Sequence, residues 1–210
     1  MSTGTSSTAL PSASIEVVPA TPDRWADVRI IMAGSADADD ERGCWCQAPR
    51  GRISGSGSDP SARPRALLEQ LAEDPPAGLL AYVDGEIAGW IGFAPRPLLP
   101  RLERSRTIPK IDDIPVWAIL CFRIQVGYRR RGVATALLGG LVDYARRHGA
   151  PGLEGYPIDA AGERLDAGFS FVGLVSMFAR AGFETVGETS AHSAGRVRVI
   201  MRRMFTEGAP

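Results

Sequence analysis

Apolar residues recur along this chain at two spacings, and the switches between them mark out its elements. Ser14-Ile-Glu-Val-Val-Pro19 alternates as a short strand. Thr21-Pro22 offers an N-cap followed by proline at the first helical position, which predicts a helix to about Ala36. A second helical pattern runs from Ser61 to Ala72 and stops before Asp74-Pro-Pro76. The clearest hairpin comes next: Leu79-Leu-Ala-Tyr-Val83, the turn Asp84-Gly85, and Ile87-Ala-Gly-Trp-Ile-Gly-Phe93. A β-rich run follows from Val116 to Val126. Val133, Leu137, Leu138, Leu141, Val142 and Ala145 then fall on one face of a helix that Gly149 ends. Leu153-Glu-Gly-Tyr-Pro157 reads as a strand, and Leu174 to Ala181 as a short helix closed by Gly182. Glu184-Thr-Val-Gly187 and Arg196 to Met204 are the last two strands. Residues 1–13, rich in Ser, Thr, Gly and Pro, are expected to be a disordered tail, and 206–210 a short one, leaving one domain over 14–205. The segments 37–60 and 95–115 read as long loops, and loops of that length in compact domains often carry function.

The junction between the 116–126 strand and the following helix holds the most informative residues, Arg129-Arg130-Arg131-Gly132-Val133-Ala134. A strand that turns through basic residues and a glycine into a helix makes a phosphate cradle. The first helical amides point at the anion, the helix dipole favours it, and Gly132 lets the backbone come close. Read alone, the same residues also fit a basic surface turn before an ordinary helix. A P-loop is excluded, because the only lysine, Lys110, sits in Ile-Pro-Lys-Ile. Gly55-Ser-Gly57-Ser-Asp-Pro60 lacks the last glycine of a dinucleotide fingerprint and follows no strand.

Composition narrows the picture further. With 210 residues, 44% of them hydrophobic, the chain can bury one sizeable core. The 24 basic and 24 acidic residues cancel, so nothing global points to nucleic acid or an anionic membrane. No apolar run is long enough to span a bilayer, and the first ten residues have neither a basic nor an apolar leader region, so a cytoplasmic protein is expected. Three cysteines argue against a disulfide framework. Cys44-Trp45-Cys46 does not have the usual zinc spacing, and no metal is expected. These thiols are read as lining a wall of the substrate cleft or simply packed, and Cys121 as a buried apolar thiol.

The Arg129-x-x-Gly132-x-Ala134 spacing resembles the Gln/Arg-x-x-Gly-x-Gly/Ala motif of the GCN5-related N-acetyltransferase (GNAT) family. Phe178-Ala-Arg-Ala-Gly-Phe183 is similar to that family's Tyr-x-x-x-Gly-Phe signature, and the order of elements from 14 to 205 is the family's order. The resemblance implies an α/β fold: a single GNAT-like domain with a mixed, mostly antiparallel sheet, a splayed parallel strand pair, and helices on both faces. It implies acetyl-CoA as co-substrate. The backbone of Ile124, Gln125 and Val126 would pair with the pantetheine, and amides of Arg129, Arg130, Arg131, Gly132, Val133 and Ala134, with the Thr135 hydroxyl, would hold the pyrophosphate. Phe178 would line the cofactor channel.

One departure stands out. The family's usual tyrosine, which protonates the departing thiolate, is Phe178 here, so that role is empty or filled by Ser176 or Tyr156 through a water. A thiol with a pKa near ~8.5 is already a fair leaving group. The implied reaction is direct attack of an amine on the thioester, with an oxyanion donor from a bulge in the 116–126 strand. Glu154 is the first candidate for general base, with Tyr156 on the same strand face at period 2. The alternative for Glu154 is an ion pair with an arginine of the 123–131 region, and Asp159 and Glu41 rank behind it as bases. The expected acceptor is a small-molecule primary amine, for which the acidic stretches Asp37 to Glu41 and Asp112-Asp113 would suit a cation. A protein lysine or N-terminus is the second reading and a non-catalytic acyl-CoA sensor the third. A homodimer is the oligomer that exposed strands near the C-terminus would allow.

Overall fold

The structure is a computed structural model, and it describes residues 14–33, 43, 45–51, 59, 61–160, 171–193 and 195–205. Its centre is the hairpin of β2 (Gly78–Val83) and β3 (Glu86–Pro95), joined where the pattern predicted. Asp84 and Gly85 both take positive φ, +50° and +86°, the left-handed pair that a two-residue hairpin turn requires. β1 (Ile15–Pro19) pairs antiparallel with β2, and β4 (Trp117–Ile124) antiparallel with β3. Beyond β4 lie β5 (Gly152–Gly155), β7 (Arg196–Met204) and, at the outer edge, β6 (Glu184–Ser193). The seven-stranded order is therefore β1-β2-β3-β4-β5-β7-β6. Among the strands of the described residues only β4 and β5 run parallel, as the α/β reading with one parallel pair expected.

The sheet separates two apolar layers. α4 (Val133–Arg147) buries Leu137, Leu138 and Leu141 completely against Ile91, Phe93, Ile119 and Leu153. Its six predicted core positions are all buried. On the other face, α1 (Trp25–Ala33) and α2 (Ala62–Leu71) enclose Leu80, Trp90 and Cys121 together with Trp45 and Cys46. Trp45, Trp90, Trp117 and Phe93 are all core. Along β3 the alternation assigns Trp90 to the second layer and Ile91 to the first, as a strand covered on both faces must.

Several boundaries moved. The strand expected to reach Val126 ends at Ile124: the Gln125 N–H still bonds Ala88 O (2.9 Å) in the β3 register, and Val126–Tyr128 then winds into a 3-10 turn. Within the 95–115 segment lie a 3-10 turn, Arg96–Leu98, and the single-turn helix α3, Pro100–Glu103. β6 is longer than predicted because it pairs with nearly all of β7. The short helix α5 spans Val175–Arg180 and ends at Gly182, φ +78°. The expected end of the first helix near Ala36, both tails, Glu41, Cys44, the acidic stretch 37–41 and most of the 37–60 segment lie outside the described residues. Among the described residues no helix is long and apolar enough to cross a membrane.

Leu141 is wholly buried at the middle of α4. Leu141→Ala removes its contacts and leaves a cavity, so it is expected to cost about 3 kcal/mol. Urea unfolding should show a lower midpoint with an unchanged m-value.

Candidate active site

β4 carries the feature on which the site turns. Gly92 pairs with Cys121 and Phe93 with Ile119, so Leu120 is an extra residue on β4, a bulge facing the Gly92–Phe93 step. On its other edge β4 pairs with β5 only at Trp117–Leu153 and Ala118–Glu154, after which the two strands part. The parting exposes backbone groups of β4 that would otherwise continue a ladder. In this structure the Phe122 N–H donates to Phe171 O at 2.6 Å. The 171–174 stretch lies between β4 and the residues after β5: Ile158 N–H donates to Gly173 O (3.2 Å) and Val175 N–H to Ile158 O (3.0 Å). Ile124 O accepts from Arg129 Nε at 3.3 Å.

α4 begins where β4 and its 3-10 turn leave off. Gly132 is its N-cap, at φ +82°, and no side chain caps the first turn. Arg130 is also left-handed, at φ +63°. Two left-handed residues so close together turn the chain sharply into α4, and the helix dipole adds positive potential at its first amides. A Cβ on Gly132 would find only Ile15 Cδ1 within reach, at 3.9 Å, so the approach is open. Arg129, Arg130, Arg131 and Thr135 are exposed, and the Arg131 guanidinium lies 5.3 Å over the Tyr128 ring. From Thr135 an open groove of about 290 Å³ runs between α4 and α5, edged by Arg146, Arg180 and Arg203. The predicted cradle residues from Arg129 to Thr135 are therefore together. Val126, at 76% exposed and within the 3-10 turn, no longer continues the strand edge with Ile124.

Glu154 and Tyr156 project from β5 and the residue beyond it into the face opposite α4. The Glu154 carboxylate is fully buried and accepts four hydrogen bonds. Oε1 takes Arg96 Nη1 and the Tyr156 hydroxyl, both at 2.6 Å, while Oε2 takes Arg202 Nε at 3.0 Å and Nη2 at 2.5 Å. Four bonds fill the four lone-pair positions of a carboxylate. In the ligand-free chain Glu154 is thus fully engaged by Arg96, Arg202 and Tyr156. An ion pair with the 123–131 arginines is not what forms; the partners are Arg96 and Arg202. Arg202 further donates to Asp112 (2.5 Å) and Arg96 to Glu103 (3.0 Å), so each buried guanidinium also meets a rim carboxylate. That hydrogen bond from Arg202 holds the Asp112 carboxyl below its usual range. Burial, reinforced by the neighbouring Glu154 charge, pushes the Tyr156 phenol well above its ordinary range, which keeps it a neutral donor. Asp159 is exposed on the far side of Ile158.

Phe178 is also fully buried, edge-on to Phe122 (6.2 Å) and Phe183 (5.0 Å). A Cβ at Gly155 would come within 2.2 Å of its ring and one at Gly173 within 2.7 Å, so both glycines make room for it.

The acetyltransferase (GNAT) family profile matches residues 39–155, more than half of the chain. The chain belongs to the GNAT acetyltransferase family. No curated protein gives a match. Among solved structures, one described as the histone acetyltransferase HPA2 and related acetyltransferase of Corynebacterium glutamicum aligns at 20% identity and TM-score 0.52. That alignment covers 94% of this chain and 99% of the other. PaiA N-acetyltransferase of Thermoplasma acidophilum, solved with coenzyme A, aligns at 15% identity and TM-score 0.51 over 91% and 99% of the two chains. YncA of Salmonella typhimurium, solved with acetyl-CoA, aligns at 13% and 0.52 over 93% and 96%. At such identities the likeness is one of fold. The family makes this GNAT chain an acyltransferase of the acetyl-CoA-dependent class.

Arg96 and Arg202 are the site residues that sequence reasoning missed in this acetyltransferase. Arg202 left a signal: Arg198, Ile200 and Arg202 share a face of β7 at period 2, and Arg202 stands directly across from Glu154. Arg96 left none, since Pro95-Arg-Pro97 reads as loop.

Glu154→Gln places an amide N–H against a guanidinium and leaves two buried cations underpaired, for an expected loss of about 3–5 kcal/mol. Thermal denaturation should show a Tm lower by on the order of 10 °C. The raised Tyr156 pKa makes a separate prediction. Its contribution is complete below the unfolded-state pKa of about 10 and is lost as pH rises from there through the folded value. The urea midpoint of the wild type should therefore fall above about pH 10, and Tyr156→Phe should flatten that fall. Tyr82 and Tyr144, shifted upward as well, act equally in both proteins.

Proposed function

We propose that this protein transfers the acetyl group of acetyl-CoA to the primary amine of a small molecule. The observation that carries the reading is the placement of the Leu120 bulge and the parted β4 edge directly before an uncapped, left-handed turn at the start of α4. Bound acetyl-CoA supplies the activated acyl group. Amides of Gly132, Val133 and Ala134, with the Thr135 hydroxyl and the Arg129–Arg131 side chains, would hold its pyrophosphate. Ile124 and Gln125 would flank the pantetheine, and Arg146 and Arg180 at the groove would suit its nucleotide phosphate. The Phe122 N–H is the donor best placed for an oxygen that gathers negative charge, and Phe171 O holds that position in the ligand-free chain.

The acceptor side of the sheet supports a small molecule over a polypeptide. Leu99, Leu102 and Ile108 of the 95–115 segment pack over Ala118, Tyr156 and Ile200, which closes that face instead of leaving a long groove. Asp112 stands at its rim and would attract a cationic amine. Tyr156 is the proposed catalytic hydroxyl: its oxygen would take a hydrogen bond from a water that accepts the attacking amine's proton and passes it to solvent, and Glu154, which holds the hydroxyl, acts through it as a positioning residue. With Phe178 unable to donate, the departing thiolate leaves on its own acidity.

Calorimetry with acetyl-CoA, followed by CoA release with a panel of amines, tests this. Micromolar binding and saturable, amine-dependent release are expected, and absence of binding removes the reading altogether. Gly132→Val forces a β-branched residue into φ +82° and should weaken binding at least tenfold with the fold intact by circular dichroism. Tyr156→Phe should lower kcat on the order of 10²-fold while leaving acetyl-CoA affinity unchanged. Equal loss of both would place Tyr156 in structure alone.

A further inference from the structure

Two cysteines meet across 75 positions of chain on the face opposite α4. Cys46 Sγ and Cys121 Sγ lie 2.7 Å apart in a buried setting. Neither is in a disulfide. The separation falls between the S–S bond length of about 2.05 Å and an ordinary packing distance. Each sulfur is held by a different part of the fold. Cys121 follows the bulged Leu120 on β4, while Trp45 and Cys46 take left-handed φ values, +46° and +53°. Gly92 completes the arrangement. A Cβ there would stand 3.1 Å from Cys46 Sγ, 3.4 Å from Cys121 Sγ and 3.0 Å from Trp90 Nε1. The Trp90 indole N–H is buried with no hydrogen-bond partner among the described residues. A side chain at Gly92 would crowd all three groups, so glycine lets two sulfurs and one unspent donor come together there.

We propose that Cys46 and Cys121 form a reversible redox site, closing to a disulfide that clasps the 45–51 segment to β4 when a hydroperoxide reaches it. One thiol is oxidised by hydrogen peroxide to a sulfenic acid; the O–O bond breaks, an S–O bond forms, and one water leaves. The second sulfur then attacks the first. The S–S bond forms, the S–O bond breaks, and the hydroxyl departs with the second thiol's proton as another water. Two thiols and one peroxide give one disulfide and two waters. A dithiol returns the pair to thiols, supplying two electrons and two protons and becoming a disulfide itself. Cys121, 8% exposed against 2% for Cys46, is the sulfur that meets the peroxide. The Trp90 N–H is placed to donate to the sulfenic oxygen, which gives that otherwise unpaired group a partner. The inference stands on the sulfur geometry alone and is independent of acyl transfer.

The test uses the full chain carrying Cys44→Ser, reduced with dithiothreitol, desalted, and treated with hydrogen peroxide. Alkylation under denaturing conditions and peptide mass spectrometry then read the thiols. Loss of both thiols, recovery of one peptide pair joined through Cys46 and Cys121, its reversal by dithiothreitol, and a Tm raised by on the order of 5 °C are expected. Alkylation of both cysteines after peroxide, with Tm unchanged, overturns the proposal. So does recovery of either residue only as sulfinic or sulfonic acid with no cross-linked peptide. The wild type, treated alike, should give the same Cys46–Cys121 pair, and a bridge from Cys44 to either residue would count against it.

Discussion

Glu154 has no water to turn to, and much of the acceptor side is arranged around that fact. A carboxylate with no exposed surface must be met by donors on every lone pair, and the donors come from three separate stretches of chain. Arg202 reaches it from the adjacent strand β7, Arg96 from the turn after β3, and Tyr156 from two residues along its own strand. The arginines in turn fix Asp112 and Glu103 of the 95–115 segment. One buried charge therefore decides where a long irregular segment lies, although that segment has little secondary structure of its own. Such a cluster does not have to stabilise more than an apolar core would. Its value is positional: it admits one arrangement of β5, β7 and the segment over them, and any shift strands a charge.

The parting of β4 from β5 works on the other side of the same strands. Parallel pairing survives for two residues and then fails, so the β4 backbone beyond Ala118 needs partners that are not strands. Phe171 O takes the Phe122 N–H and Arg129 Nε takes Ile124 O. Both are contacts that a ligand's amides and carbonyls are able to replace at equal count. An edge that the chain satisfies itself stays stable without ligand and still receives one, which a sealed strand pair does not.

What the sequence revealed divides along local and non-local lines. The Asp84-Gly85 turn, the α4 core face and the Gly132 junction each rest on contacts within a few residues, and periodicity and turn chemistry reported them accurately. Glu154 was found, but its partners were not, because they stand 58 and 48 positions away and no periodic pattern relates Arg96 to Glu154. The end of β4 was misplaced by two residues for a similar reason. Gln125 and Val126 suit a strand, yet the path into α4 winds Val126–Tyr128 into a 3-10 turn directly after the last β3 bond at Gln125. Cys121 was legible as a buried thiol by alternation, while its contact with Cys46 was not, since 75 residues and a bulge lie between cause and effect.

Phe178 shows how packing can settle a chemical question. Its ring fills space that two glycines vacate and meets Phe122 and Phe183 edge-on, with no exposed surface. A hydroxyl added to that ring would enter an apolar site, where an unpartnered polar group costs roughly 1–3 kcal/mol. The same enclosure that makes phenylalanine the better fit makes tyrosine the poorer one. A tyrosine at position 178 would therefore carry its hydroxyl into this apolar enclosure. Tyr156 lies on the other side of the sheet, where it keeps its proton through burial and the adjacent Glu154 charge. Separation of the acid from the cofactor-facing layer would then leave the thiolate to depart on its own acidity and confine proton transfer to the acceptor.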